Sequence, residues 1–321
     1  MYSEYVLNKS VQKGSLIMEV ALRNMFQSLA KNKSANKLAR KYGLRFGAKR
    51  FVSGESIAEA ISKVTELNNS GRVVTLDHLG EFVYTKEEAH ESTIMSLKTL
   101  DEIHASVVQS HLSVKMTSLG LDIDKDLCLN NMRKIVSRAN QYGNFVRIDM
   151  EDYAHCQISI DIYEELRQEF DNVGLVIQAY LYRTEEDMKH LNELNANLRL
   201  VKGAYKESPD VAFPEKKDVD ENYKKIIEMH MLNGNYTAIA SHDEKIIQFT
   251  KELAAKHKID KDKFEFQMLY GICEDLQNKL VKEGYKVRVY VPYGKDWFGY
   301  FMRRLAERPA NVWFILKNLF K

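Results

Sequence analysis

The chain has 321 residues, 45% of them apolar, and a formal net charge of +2. That length suits one large domain or two small ones, and the near-neutral balance makes no case for nucleic acid. The cysteines Cys128, Cys156 and Cys273 are scattered without CxxC spacing, which argues against a disulfide framework and suggests no metal site.

The first stretch, MYSEYVLNKSVQKGSLIMEVALRN, has no uninterrupted apolar core and no small-residue cleavage site, so no signal peptide is expected. No run reaches the roughly 18 apolar residues of a membrane span, and the expected address is the cytoplasm. Residues 15–66 carry a helical pattern in two or three segments. Between Lys31 and Arg50 lie eight Lys/Arg and no acid. The plain reading is a solvated basic helix face. The sharper reading is a patch that makes transient contact with anionic lipid, leaving the protein peripheral at the inner face of the membrane. The expected division is an N-terminal helical arm over 1–66 and a catalytic unit over 67–321.

A rhythm follows. Short β-branched or apolar runs recur as RVVTLD (72–77), HLSVKM (111–116), NFVRIDM (144–150) and VGLVIQAYL (173–181), then LRLVKGA (198–204), YTAIAS (236–241), FEFQML (264–269) and KVRVYV (286–291). Helix-length amphipathic stretches separate them. Strand alternating with helix implies parallel strands with helical crossovers. Eight such units, each about 25 to 40 residues, predict a closed (β/α)8 barrel of the TIM type, in the α/β class. The rival is a doubly wound open sheet, which would usually show a Gly-rich turn after its first strand; no GxGxxG follows any run here.

In a barrel the chemistry sits where strands end. The second run ends in Lys115, the third in Asp149 and Met150, and the fourth carries Gln178. The fifth carries Arg199, Lys202, Gly203, Ala204 and Tyr205. The sixth ends in Ser241 and His242, the seventh in Leu269, and the eighth holds Tyr290. Each has an ordinary structural reading, such as an ion pair or a satisfied amide. Together they set so many polar groups at one mouth that burial costs several kcal/mol unless they serve each other or a ligand.

The closing helix pattern breaks a local rule. Trp297, Tyr300, Arg304 and Glu307 are spaced three or four apart, with Arg303 adjoining, so a face expected to be apolar carries cations. Adjacent guanidinium forks suit a carboxylate. The reading is a clamp for a small carboxylic acid over the barrel mouth.

At these residues the chain resembles the proline dehydrogenases, FAD-dependent barrel enzymes, over roughly residues 70 to 315. The segments VTLDHLGE, SVKMTSLGLD, FVRIDMED, VIQAYLYRT, LRLVKGAY, IASHD and RVYVPYG followed by RRLAERPAN appear in order, and the last is the most specific. The resemblance implies oxidation of L-proline to Δ1-pyrroline-5-carboxylate, with a hydride passing from C5 to flavin N5 and electrons going on to a quinone. It implies that Arg303, Arg304 and Lys115 bind the carboxylate. Asp149 would hold Lys115, and Tyr290, Tyr300 and Leu269 would wall the ring with Tyr205 nearby. Arg199 would approach the reactive flavin nitrogen and Gln178 the isoalloxazine. Met150, Lys202, Gly203, Ala204, Ser241 and His242 would line the rest of FAD. Glu81 would pair with Arg303 and gate the site. The aldehyde dehydrogenase domain fused to some relatives is not expected. Two alternatives stay open: a hydroxyproline dehydrogenase, in which the position of Tyr300 tends to be serine, and a non-catalytic barrel that binds proline or FAD.

Overall fold

The apolar runs become strands buried on their outer face, and the amphipathic stretches become the helices that bury them. The computed structural model describes Met25, Phe26, Ser28 and residues 48–80 and 83–307, excluding the side chains of residues 48 and 303–307. Eight strands follow in order: β1 (Val73–His78), β2 (Ser110–Val114), β3 (Val146–Ile148), β4 (Val173–Gln178), β5 (Leu198–Val201), β6 (Thr237–Ala240), β7 (Phe264–Leu269) and β8 (Val287–Tyr293). Each pairs in parallel with the next, and β8 closes onto β1. Between and around them lie α1 (Ile57–Asn69), α2 (Lys86–Ala105), α3 (Lys125–Gln141), α4 (Tyr153–Arg167) and α5 (Thr184–Glu193). They are followed by α6 (Lys216–Leu232), α7 (Glu244–His257), α8 (Glu274–Lys282) and α9 (Trp297–Glu307). The (β/α)8 barrel read from the sequence is the fold, and closure excludes the open doubly wound sheet.

Two helices depart from a simple repeat. A capping box between Ser56 and Glu59 starts α1. Its apolar stripe, Ala60, Ile61, Val64 and Leu67, packs with Val74 and Leu76 of β1 and Val289 and Val291 of β8. So α1 precedes the first strand yet covers the β8–β1 seam, and residue 66 falls inside it. The helix after β8 lies elsewhere. Trp297, Tyr300, Phe301 and Met302 of α9 pack with Phe51, Val52, Leu79 and Ile272, and Leu269 packs against the same group. Leu79 and Ile272 follow the C-terminal ends of β1 and β7, so α9 sits over the C-terminal mouth. Of the helical pattern read over 15–66, residues 15–47 lie outside the described residues apart from Met25, Phe26 and Ser28, which are helical.

Alternation along the strands sends Val74, Leu76, Leu112, Val146, Ile148, Leu175, Leu198, Leu200 and Phe266 outward into the helix layer, all fully buried. The inward set is polar. Arg288 donates to Glu265 at 2.7 and 3.1 Å and to the Val74 carbonyl at 2.7 Å. Arg147 bonds the carbonyls of Leu175 and Asn197 at 3.0 and 2.6 Å. The usual barrel filling is bulky aliphatic. Here pairing offsets the desolvation of the buried charges, and burial still lowers Arg147 to about 9, with Arg199 adding to the effect.

Candidate active site

At the mouth, four predicted residues form one network. Lys115, the residue after β2, places Nζ 3.4 Å from Asp149 Oδ2 and 3.4 Å from the Tyr290 hydroxyl. Tyr290 on β8 donates to Asp149 Oδ2 at 2.7 Å. Arg199 on β5 donates from Nη1 to Asp149 Oδ1 at 2.7 Å, and its guanidinium lies 5.2 Å from the Tyr290 ring centroid. Asp149 is thus the hub, one residue past β3.

Two members were not among the sequence candidates. Ser113 on β2 donates to Asp149 Oδ1 at 2.7 Å. Asp77 on β1 takes Lys115 Nζ at 3.0 Å, closer than Asp149 does. The available signal is the acid that ends the run RVVTLD, Asp77, at the same kind of position as Lys115 and Asp149.

The charges are tuned by these contacts. Burial alone would raise the Asp149 carboxyl, yet Lys115 and Arg199, with bonds from Tyr290 and Ser113, hold it below the usual range. Burial raises Asp77; Lys115 opposes the shift and Asp149 adds to it. Burial, then Asp149 and Asp77, push the Tyr290 phenol well above its usual value, so it remains a donor.

The remaining predicted positions ring the other side. Met150 is buried. Gln178, ending β4, donates Nε2 to the Glu151 carbonyl at 3.0 Å. Past β5, the Lys202 ammonium is held by Asp220 at 2.5 Å and Asp243 at 3.1 Å, so what it offers a ligand is chiefly backbone and methylenes. Gly203 has φ +114°, and a Cβ there would meet the Tyr180 ring at 2.2 Å. Ala204 follows it in the same turn. Tyr205 is half-buried against the main core. The Ser241 hydroxyl accepts from the Asp243 amide at 3.1 Å, and His242 Nε2 accepts from the Leu269 amide at 3.0 Å, joining the ends of β6 and β7. Leu269 and Tyr300 share the α9 cluster, where Tyr300 is 6% exposed. Glu81 and the side chains of Arg303, Arg304 and Glu307 lie outside the described residues; the two arginines occupy the second half of α9.

Three polar atoms ask for a ligand. Arg199 Nε and Nη2 and Gln178 Oε1 are buried with no partner among the described residues. Two donors and an acceptor on one rim suit the edge of a planar heteroaromatic ring that presents both hydrogen-bonding senses. The Cys128 and Cys156 thiols are pushed up by burial, Cys156 to about 12, so neither is a poised nucleophile. Among the described residues no helix is long and apolar enough to cross a membrane.

The family profile described as Proline dehydrogenase matches residues 60–317. Proline dehydrogenase 2 of Bacillus subtilis strain 168 is 54% identical over 299 residues, covering 93% of this chain and 99% of that protein. Proline dehydrogenase of Deinococcus radiodurans is 42% identical over 310 residues, covering 95% of this chain and 97% of that protein. Among solved structures, proline utilization A from Bdellovibrio bacteriovorus, inactivated by N-propargylglycine, superposes with TM-score 0.76 at 28% identity. That match covers 80% of this chain and 32% of the longer protein.

Proposed function

The chain belongs to the proline dehydrogenase family, and from that premise we propose how its barrel mouth does the chemistry. It is an oxidoreductase acting on proline, at the first step of proline catabolism. The proposal is non-covalent FAD at the Arg199–Gln178 rim and L-proline between that rim and α9. The product would be Δ1-pyrroline-5-carboxylate. The observation that carries it is the set of buried polar atoms without a partner among the described residues, Arg199 Nε and Nη2 and Gln178 Oε1, beside the Lys115–Asp149–Tyr290 network.

When bound, the flavin would supply the hydride acceptor. Arg199, Gln178, Met150, the turn 202–204, Ser241 and His242 would hold it. Arg303, Arg304 and Lys115 would fix the substrate carboxylate, with Glu81 gating the entrance through Arg303. Tyr290, Tyr300 and Leu269 would wall the ring and exclude water, with Tyr205 near them, which sets the orientation that hydride transfer demands. Arg199, anchored by Asp149 through Nη1, would turn Nε and Nη2 to the cofactor edge, where two donors would favour negative charge. The buried Tyr300 supports proline over 4-hydroxyproline, whose extra hydroxyl needs room. We further propose a cytoplasmic enzyme with a quinone as electron acceptor; the arm expected over 1–66 is proposed only for the residues before α1, because Ile57–Asn69 is one helix packed on the barrel.

Purified protein tests this. It should be yellow, acid precipitation should leave the flavin in the supernatant, and anaerobic L-proline should bleach the visible bands. Flavin in the pellet would overturn the non-covalent assignment, and bands unmoved by proline would overturn the active site.

A further inference from the structure

Asp77 is 2% exposed, and Lys115 leans to it at 3.0 Å. The neighbouring acid differs in supply. Asp149 receives Ser113, Arg199 and Tyr290, each at 2.7 Å, before Lys115 is counted at 3.4 Å. Asp77 also lines a cavity of about 10 Å³, room for a single water, with His78, Ser92, Ser96, Ser113 and Lys115. It therefore stands between the mouth, reached through Lys115, and a small polar cavity beside α2.

Oxidation of a secondary amine by hydride loss needs the nitrogen lone pair, and an ammonium has none to give. Some group must take the proton. We infer that Asp77 takes it, relayed by Lys115, and that neutralising Asp77 frees Lys115 for the substrate carboxylate. The inference rests on the reading of this mouth as the proline site. In the step, one N–H bond of the substrate breaks and one O–H bond forms on Asp77. Lys115 gives a proton to Asp77 and takes one from the substrate nitrogen, so its charge is unchanged and nothing is oxidised or reduced. The acid then returns its proton through the cavity.

The groups facing Asp77 leave it as the acceptor. On its own strand, His78 is made less basic by burial. Lys115 comes from β2, Asp149 follows β3, Arg199 is on β5 and Tyr290 on β8. Helix α2 contributes the uncharged Ser92 and Ser96. Four donors keep Asp149 ionised, Tyr290 is held as a phenol, and burial makes Asp77 the more basic carboxylate.

A ring carboxylate without an amine isolates the charge effect. Cyclopentanecarboxylate adds an anion and brings no proton, so its binding should draw a proton onto Asp77. The experiment measures proton uptake of weakly buffered holoenzyme near neutral pH, with inhibition of proline turnover followed in parallel. Wild type should take up a large part of a proton for each acid bound, Asp77→Glu should do the same, and Asp77→Asn should bind the acid with no uptake. Proline turnover in Asp77→Asn should fall on the order of 100-fold in kcat, with KM changed less than about threefold. Inhibition without uptake in wild type, or equal uptake in Asp77→Asn, overturns the role of Asp77 while the proline site stands. An acid that neither binds nor inhibits overturns the carboxylate clamp, and this inference with it.

Discussion

Arg199 and Asp149 are joined at 2.7 Å through Nη1 and Oδ1, while Arg199 Nε and Nη2 meet no partner among the described residues. One end of the guanidinium is fixed by the protein, and the other presents two buried donors at the barrel mouth. Asp149→Asn keeps the shape and removes the charge that Arg199 and Lys115 share. The expected result is a fall in kcat/KM on the order of 100-fold. Leaving buried cations short of an anion should also cost about 3 kcal/mol of stability. Steady-state kinetics and thermal unfolding check both, and a variant with unchanged kcat/KM removes Asp149 from the site.

Much of the fold is legible in the sequence. The eight runs became eight strands because a parallel barrel buries each outward face under a helix, and buried strands read as apolar runs. Lys115, Asp149, Arg199 and Tyr290, singled out because chemistry collects at strand ends, come together in one network. Asp77 and Ser113 escaped. A lone acid or serine in an apolar run looks like any half-buried polar residue, and only the β1–β2 register, which sets Asp77 opposite Ser113, brings Asp77 beside Lys115. The buried Arg147, Glu265 and Arg288 were missed for a related reason. They sit low in the barrel, away from the strand ends, and their partners come from other strands and from backbone carbonyls. The covering of the β8–β1 seam by α1 was equally hidden, since nothing in an amphipathic helix says which seam it will meet.

Tyr300 gives a specificity test. It is buried on α9 among Trp297, Phe301 and Leu269. Tyr300→Ser opens space beside the substrate ring. Turnover of proline should weaken, and 4-hydroxyproline should gain relative to it. The measure is the ratio of kcat/KM for the two substrates. A ratio that stays fixed, or moves toward proline, means that Tyr300 does not wall the ring.

The polar barrel interior predicts an acid limit. Burial alone would raise Glu265, but Arg288, His111 and the Gln267 bond bring it down to about 2, against an ordinary 4.5. A carboxyl depressed in the folded state stabilises above its unfolded pKa, and that stability is lost as pH falls through the folded value. The pair should contribute about 3 kcal/mol above pH ~4.5 and lose it between there and pH ~2. In melting curves over that range, Glu265→Gln should be the less stable protein at pH 7, and the gap to wild type should close as acid is added. A gap that stays constant down to the acid end removes the pair from the acid transition.

The last prediction concerns where the electrons go. If the acceptor is a quinone of the bilayer, the protein has to reach the membrane, and the proposed route is contact at the membrane surface. The candidate patch is the acid-free run from Lys31 to Arg50 with its eight basic residues. Its end is exposed at Lys49 and Arg50, and residues 31–47 lie outside the described ones. Each basic residue near an anionic surface contributes up to about 1 kcal/mol. Even half of them would give weak, reversible binding that salt suppresses. The protein should sediment partly with anionic vesicles at low salt and stay in solution with neutral ones. Replacing Lys37, Arg40 and Lys41 by glutamate should abolish sedimentation while turnover with a soluble dye continues. Absent binding, or binding that survives the charge reversal, makes the run an ordinary solvated face and moves the membrane contact to another surface.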